Sequence, residues 1–179
     1  TADQPKRFRR TASFLNPGQI AVADNHTKEE RSLNMAHIAG KDTKPEVKVR
    51  KYLWRLGFRY RKNDRKLPGK PDIVLPKYRT VIFVNGCFWH KHDCPAFVWP
   101  SSNQDYWIPK ITRNVERDRK NTALLTEMGW HVLVVWECEL KKKTIDDTLQ
   151  RVARQIRENL PAKEKEQKAS DSPLLPLEP

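Results

Sequence analysis

Apolar residues gather in a few short groups along the chain, separated by long charged stretches, and the spacing within each group predicts an element. Thr43-Lys44-Pro45-Glu46 has the form of a helix N-terminus. The threonine hydroxyl can accept a first-turn N–H, the proline misses no amide partner there, and the glutamate can reach back to the cap. Val47, Leu53, Trp54 and Leu56 supply an apolar side and Gly57 a stop, which predicts a helix over about 44–56. Ile73-Val74-Leu75 and Thr80-Val81-Ile82-Phe83-Val84 are apolar, β-branched runs separated by Pro76-Lys77-Tyr78-Arg79, a spacing suited to a hairpin. From about Ile108 to Met128, Ile111, Val115, Leu125 and Met128 recur at roughly helical intervals; Pro109 is tolerable only near the start, and Gly129 ends the segment. The unbroken run from His131 to Trp136 reads as a buried strand, and Thr144 to Leu160 as a last amphipathic helix. The order α-β-β-α-β-α with apolar strands predicts an α/β fold, a mixed sheet covered by helices.

The flanks carry no such pattern. Residues 1–30 set Lys6, Arg7, Arg9 and Arg10 among prolines and polar residues and read as a flexible basic arm. Residues 161–179, charged and then Ser/Pro-rich, read as a disordered tail, which leaves one domain over 31–160 without internal repeats. Charge sharpens this picture: 35 Lys+Arg against 22 Asp+Glu leave a net +13 over 179 residues. Such an excess points to a polyanionic partner, nucleic acid first and an anionic membrane surface second. No apolar run approaches the ~20 residues of a membrane span. Three cysteines, an odd number, argue against a disulfide framework, and the basic N-terminus has no apolar signal core behind it. A cytoplasmic protein with thiols free for metal binding or catalysis is expected.

The densest chemistry lies in Val84-Asn85-Gly86-Cys87-Phe88-Trp89-His90-Lys91-His92-Asp93-Cys94, with Cys138 following the last strand. A closed tetrahedral zinc site takes four thiolate or imidazole ligands, and three cysteines with one histidine supply that number. Spacing leaves open which histidine it is, and the lesser alternative is that the cysteines are small buried hydrophobes. Asp72, after Pro71 at the mouth of a strand, is a rigidly held carboxylate suited to a hard cation such as Mg²⁺, or an ordinary turn aspartate. Glu46 is first a capping residue and second a metal neighbour. Asn114 and Asp118 share a face of the long helix. A carboxylate beside His90 would orient its imidazole and stabilise the protonated ring. Phe88 and Trp89 cannot both face the core of a regular strand. With Trp107 they form either a stacking or wedge surface for nucleic acid or a packing layer over the metal loop.

Taken in order, Pro71-Asp72, Gly86-Cys87-Phe88-Trp89-His90-x-His92-x-Cys94, Asn114-Val115-Glu116-Arg117-Asp118 and Trp136-Glu137-Cys138 resemble the very short patch repair endonucleases of the Vsr family over about residues 30–140. The resemblance implies a restriction-endonuclease-like α/β fold, a mixed sheet flanked by helices with a structural zinc. It also implies Mg²⁺-dependent nicking of double-stranded DNA 5′ of the thymine in a T·G mismatch left by deamination of 5-methylcytosine. By position it makes Asp72 the Mg²⁺ carboxylate with the Val84 main-chain carbonyl as a further ligand, His90 the general base, Asp118 its partner, and Glu46 a metal neighbour acting through water. Zinc falls to Cys87, His92, Cys94 and Cys138. Phe88, Trp89 and Trp107 match the residues that wedge into the base stack, Met35 lies in a segment against the DNA, and Asn114 joins the DNA-binding set. One departure stands close to the chemistry: Asn85 occupies the position where the family usually has histidine. An amide can hydrogen-bond a phosphate or leaving group but carries no titrating proton. The wider nuclease pattern of Pro-Asp followed by acidic-x-Lys is also absent, since Phe83-Val84-Asn85 has neither, and water activation is left to His90 and Asp118. A monomer with possible repair-protein partners is expected. The competing readings are a restriction-fold nuclease that cuts matched duplex and a zinc-stabilised DNA-binding domain without nuclease activity.

Overall fold

A computed structural model describes residues 41–160 together with Thr27, Glu30 and Leu33. Met35, the tail 161–179 and nearly all of the 1–30 arm lie outside the described residues. Thr27 and Glu30 exchange reciprocal backbone-to-side-chain bonds of 2.8 and 3.1 Å, and Glu30 and Leu33 are helical. Thr27-Lys28-Glu29-Glu30 is therefore a capping box that the reading of residues 1–30 as an aperiodic arm passed over.

Helix α1 (Lys44–Arg55) starts as expected. The Thr43 hydroxyl accepts the Glu46 N–H at 3.5 Å and the Glu46 carboxylate accepts the Thr43 N–H at 3.3 Å. Its buried face is the expected one only at Leu53. Trp54 is 55% exposed and Leu56 is exposed, whereas Glu46, Val49, Arg50 and Leu53 face inward. These four recur at i, i+3, i+4 and i+7, a helical stripe with two charged members that bond each other, so hydropathy alone picked the wrong side.

The sheet runs β1 (Arg61–Lys62), β2 (Ile73–Leu75), β3 (Thr80–Asn85) and β4 (His131–Trp136) in that spatial order. β2 and β3 pair antiparallel with Ile73 opposite Ile82, joined by a 3₁₀ turn at Pro76–Tyr78 and a left-handed Arg79 at φ 47°. β1, two exposed cations antiparallel to β2, carries no apolar signal and was not expected. Helix α2 (Gln104–Glu127) carries the chain from β3 across to the parallel β4. It begins before the expected Ile108, because the polar residues 104–106 already turn; Pro109 sits inside it, lacking the N–H that would return to Asp105.

Alternation along the strands divides the core. Ile73, Leu75, Ile82 and Val135 face Val49 and Leu53 of α1 and Leu149, Val152 and Ile156 of α3 (Ile145–Glu158). Val74 and Val81 turn to the opposite face and meet Leu125 of α2. The sheet is thus mixed and flanked by helices on both faces. β4 is less buried than its unbroken apolar run suggests: only Val135 is fully buried, since the strand is at the edge of the described sheet. No helix among the described residues is long and apolar enough to cross a membrane.

Register places the site. Asn85 and Trp136 are paired at the ends of β3 and β4, so residues 86–94 and 137–140 leave the sheet side by side. β2 starts at that same end, which sets Asp72 beside Val84. Because Leu53 is wholly buried and Trp54 is not, Leu53→Ala is expected to lower unfolding free energy by about 2–5 kcal/mol. Trp54→Ala should cost less than about 1 kcal/mol. Urea denaturation of the two variants reads the difference directly.

Candidate active site and metal centre

A cleft of about 390 Å³ opens where β2, β3, α1 and α2 meet, and Glu46, Asp72, Val84, Asn85, His90 and Asp118 line it. Asp72 Oδ2 accepts the Val84 N–H at 2.8 Å, a bond that fixes the carboxylate at the strand end. Burial pushes its carboxyl up to about 6 and the Glu46 charge adds to this, against the Val84 N–H and the charges of Arg50 and His90. A buried carboxylate beside a second one gains from a divalent cation, which supplies the positive charge that water no longer screens. Glu46, 4% exposed, is fully engaged: one oxygen takes the Thr43 N–H and hydroxyl, the other the Asp42 N–H at 3.0 Å and the Arg50 guanidinium at 3.4 Å. Arg50 is equally buried and also pairs with Asp42 at 2.6 Å. Across the cleft His90 Nδ1 forms a short hydrogen bond with Asp118 Oδ2, which leaves Nε2 as the nitrogen available to a proton from outside the pair.

A second cluster lies at the ends of β3 and β4. One ligand atom each from Cys87, His92, Cys94 and Cys138 falls within 4.8 Å of all the others. His92 Nδ1 is 3.6 Å from Cys87 Sγ and 3.4 Å from Cys138 Sγ. An ion bonded tetrahedrally to sulfur at ~2.3 Å and nitrogen at ~2.0–2.1 Å sets their separation near ~3.6 Å, so the donor set fits a metal. Between the two histidines geometry chooses His92, since His90 is occupied by Asp118. The His92 ring stacks on Trp136 at 4.0 Å and 5° between planes, and its backbone N–H bonds the Cys87 carbonyl at 3.0 Å. Burial pushes the Cys87 thiol up to about 12 and raises Cys138. At Cys94 the small desolvation is outweighed by the Ala96 N–H and the neighbouring thiols, and its thiol sits lower than usual. Three crowded thiols can ionise together only around a cation.

Beside this cluster Phe88 and Trp89 leave the strand in a turn and pack edge to face at 5.1 Å. Trp107 lies 5.4 Å from Phe88 and 6.0 Å from Trp89. At 5% exposure it packs beneath them, so in this conformation it offers no free face to DNA, contrary to its reading as an exposed wedge. Its indole N–H is buried and has no hydrogen-bond partner among the described residues. Asn114 is likewise committed inside the protein: its amide donates to the Trp89 carbonyl and accepts from Arg117, both at 3.0 Å. The cleft also takes in Asn63, Lys70 and Asn121, which sequence reading did not single out. The local signal was Gly69 before Lys70-Pro71, a glycine at φ 71° in a basic loop.

The family model described as DNA mismatch endonuclease Vsr matches residues 23–96. A type II nicking enzyme of Neisseria meningitidis, V.NmeAIP, is 53% identical over 138 residues, 76% of this chain and 99% of that one. The chain belongs to the Vsr family. The DNA mismatch endonuclease Vsr of Escherichia coli is 46% identical over 130 residues, 72% of this chain and 83% of its own. Among solved structures, the catalytic domain of the homing endonuclease I-Bth0305I aligns with a TM-score of 0.47 at 22% identity, over 67% of this chain and all of that one. As a Vsr-type endonuclease, the chain carries its candidate chemistry in the cleft and the Cys/His cluster at one end of the sheet.

Two measurements follow from these environments. The purified protein should carry one metal ion per chain, and Cys138→Ala should lose it and lower the melting temperature, read by elemental analysis and thermal melts. Asp72 binds its proton more tightly folded than unfolded, so it lowers stability as pH rises from about 4 to about 6 and keeps it lower above that. Without added Mg²⁺, Asp72→Asn should therefore melt higher than the parent at pH 7.5, and the gain should vanish below about pH 4.

Proposed function

We propose that the protein nicks one strand of duplex DNA on the 5′ side of the thymine in a T·G mismatch, with Mg²⁺ in the cleft and zinc on Cys87, His92, Cys94 and Cys138. The observation that carries the reading is the His90–Asp118 pair facing Asp72 across one cleft. Asp72 and the Val84 carbonyl would hold the cation, and Glu46, its oxygens already engaged, would act on it through water; a bound Mg²⁺ would supply positive charge against that developing on the phosphate and on the leaving 3′ oxygen. His90 Nε2 takes a proton from the attacking water while Asp118 fixes the ring and stabilises its charged form. The water oxygen bonds to phosphorus, the bond from phosphorus to the 3′ oxygen breaks, and that oxygen takes a proton from solvent, leaving a 5′-phosphate and a 3′-hydroxyl. Asn85, at the end of β3, donates an amide N–H to a phosphate oxygen and has no titrating proton to transfer.

Mismatch preference comes from Phe88 and Trp89, half-buried at the top of the aromatic cluster. Wedging a ring between base pairs costs a few kcal/mol of unstacking, and a wobble pair resists it less than a matched one. Trp107 supports them from below and reaches DNA only if the cluster opens. The net charge of +13 accounts for duplex affinity without regard to sequence.

Nicking of end-labelled T·G and matched duplexes with Mg²⁺ tests the reading. Asp72→Ala should abolish nicking, and His90→Ala should slow it by about 10²–10⁴-fold. Trp89→Ala should reduce T·G nicking far more than matched-duplex binding. Parent-rate cleavage by Asp72→Ala would sink the metal assignment, and equal cleavage of matched and mismatched duplex by the parent would favour the matched-duplex nuclease.

A further inference from the structure

Three carboxylates line the cleft, and two of them have a side-chain partner of their own: Glu46 pairs with the Arg50 guanidinium, and Asp118 with the His90 imidazole. Two other cations line it as well, Lys70 and Arg117, and neither has a carboxylate within ion-pair distance among the described residues. Arg117 is tethered to the Asn114 side chain at 3.0 Å, on the side of the aromatic turn. Lys70 stands two residues before Asp72 with no side-chain partner among the described residues.

The backbone holds Lys70 there at a cost. Its φ is 53°, in the left-handed region that a residue with a Cβ avoids. It also precedes Pro71, where the chain favours extended backbone. Both neighbours fix the position. Pro71 is buried, and Gly69 lies so close to α2 that a Cβ would come 2.8 Å from Asn121 Nδ2. The Lys70 N–H closes a turn to the Leu67 carbonyl at 3.0 Å. Lys70 is exposed and hydrated, so its charge needs no partner in the free protein; what the backbone does is hold that ammonium at the cleft mouth, ready for an anion that enters. The only anion this chemistry brings to the cleft is a DNA phosphate.

We infer that Lys70 is a further catalytic residue, its ammonium contacting a non-bridging oxygen of the scissile phosphate and stabilising the charge that gathers there during attack. This rests on the nicking reading above. It also gives a physical answer to the missing acidic-x-Lys pattern: β3 offers Phe83-Val84-Asn85, and the cation enters instead from the segment leading into β2.

Two readouts test it. In single-turnover nicking at saturating enzyme, Lys70→Ala should slow the chemical step about 10²-fold, the order expected for loss of one positioned electrostatic contact. Duplex Kd should weaken by no more than the parent loses when that one phosphate is neutralised, Lys70→Arg should recover part of the rate, and an unchanged melting temperature and metal content would show that the fold is intact. Independently, duplexes carrying one neutral methylphosphonate at successive positions are bound in Mg²⁺-free buffer. The parent should lose affinity when the scissile phosphate is neutralised, and Lys70→Ala should lose none at that position while responding like the parent elsewhere. If parent and variant respond alike at every phosphate, or if Lys70→Ala nicks at the parent rate, the inference is overturned. A parent that nicks matched and mismatched duplex equally would refute mismatch preference alone, since both Lys70 readouts can be run on matched duplex.

Discussion

The parallel pairing of β3 with β4 is the constraint on which the rest of the molecule depends. Matched over six residues, from Thr80 opposite His131 to Asn85 opposite Trp136, the two strands end at the same level. A parallel pair needs a long crossover, and α2 is that crossover. The consequence is that three segments far apart in the chain converge: the turn carrying Cys87 to Cys94, the 3₁₀ turn carrying Cys138 (Glu137–Leu140), and the face of α2 carrying Asn114 and Asp118. The antiparallel β2 then brings Asp72 in beside them. A metal held by Cys87, His92, Cys94 and Cys138 would clamp the strand ends that the pairing aligns, so the cluster and the register reinforce each other.

Electrostatics inside the cleft follows from how each carboxylate is partnered. Glu46 and Arg50 are both 4% exposed, and each would be costly to bury alone. Four donors on Glu46, and Asp42 on Arg50, make the pair tolerable and hold α1 in one orientation at the cleft wall. Asp118 is matched by His90, while Asp72 has a single backbone N–H and a carboxyl raised to about 6. The least satisfied acid therefore sits at the centre of the cleft, where a cation has most to gain.

The aromatic residues reflect a compromise between storing apolar surface and presenting it. Phe88, Trp89, Tyr106 and Trp107 cover one another, and Lys110 lies over three of the rings at 4.9 to 5.5 Å. Mutual packing keeps a large apolar patch out of water, at the expense of an indole N–H on Trp107 left unpaired among the described residues.

What the sequence determined by itself was local or chemically singular. The capping box at Thr43 and Glu46 was legible because its bonds span three residues, the hairpin because Pro76–Arg79 separates two β-branched runs, and the three cysteines as metal candidates because cysteine is scarce here, while spacing left open which histidine joins them. The tertiary structure decided whatever depended on pairing across elements. Arg50 is buried because Glu46 and Asp42 receive it, and hydropathy, which scores residues singly, put Trp54 and Leu56 inward instead. β1 is a strand only because β2 offers it hydrogen bonds, and β4 is half-exposed because it lies at an edge. Trp107 and Asn114 carried the right chemistry for DNA, yet only packing shows that one is covered and the other tied to the Trp89 carbonyl. Lys70 is one of 35 cations in the sequence, and what separates it from the others is a backbone held left-handed between a glycine pressed on Asn121 and a buried proline.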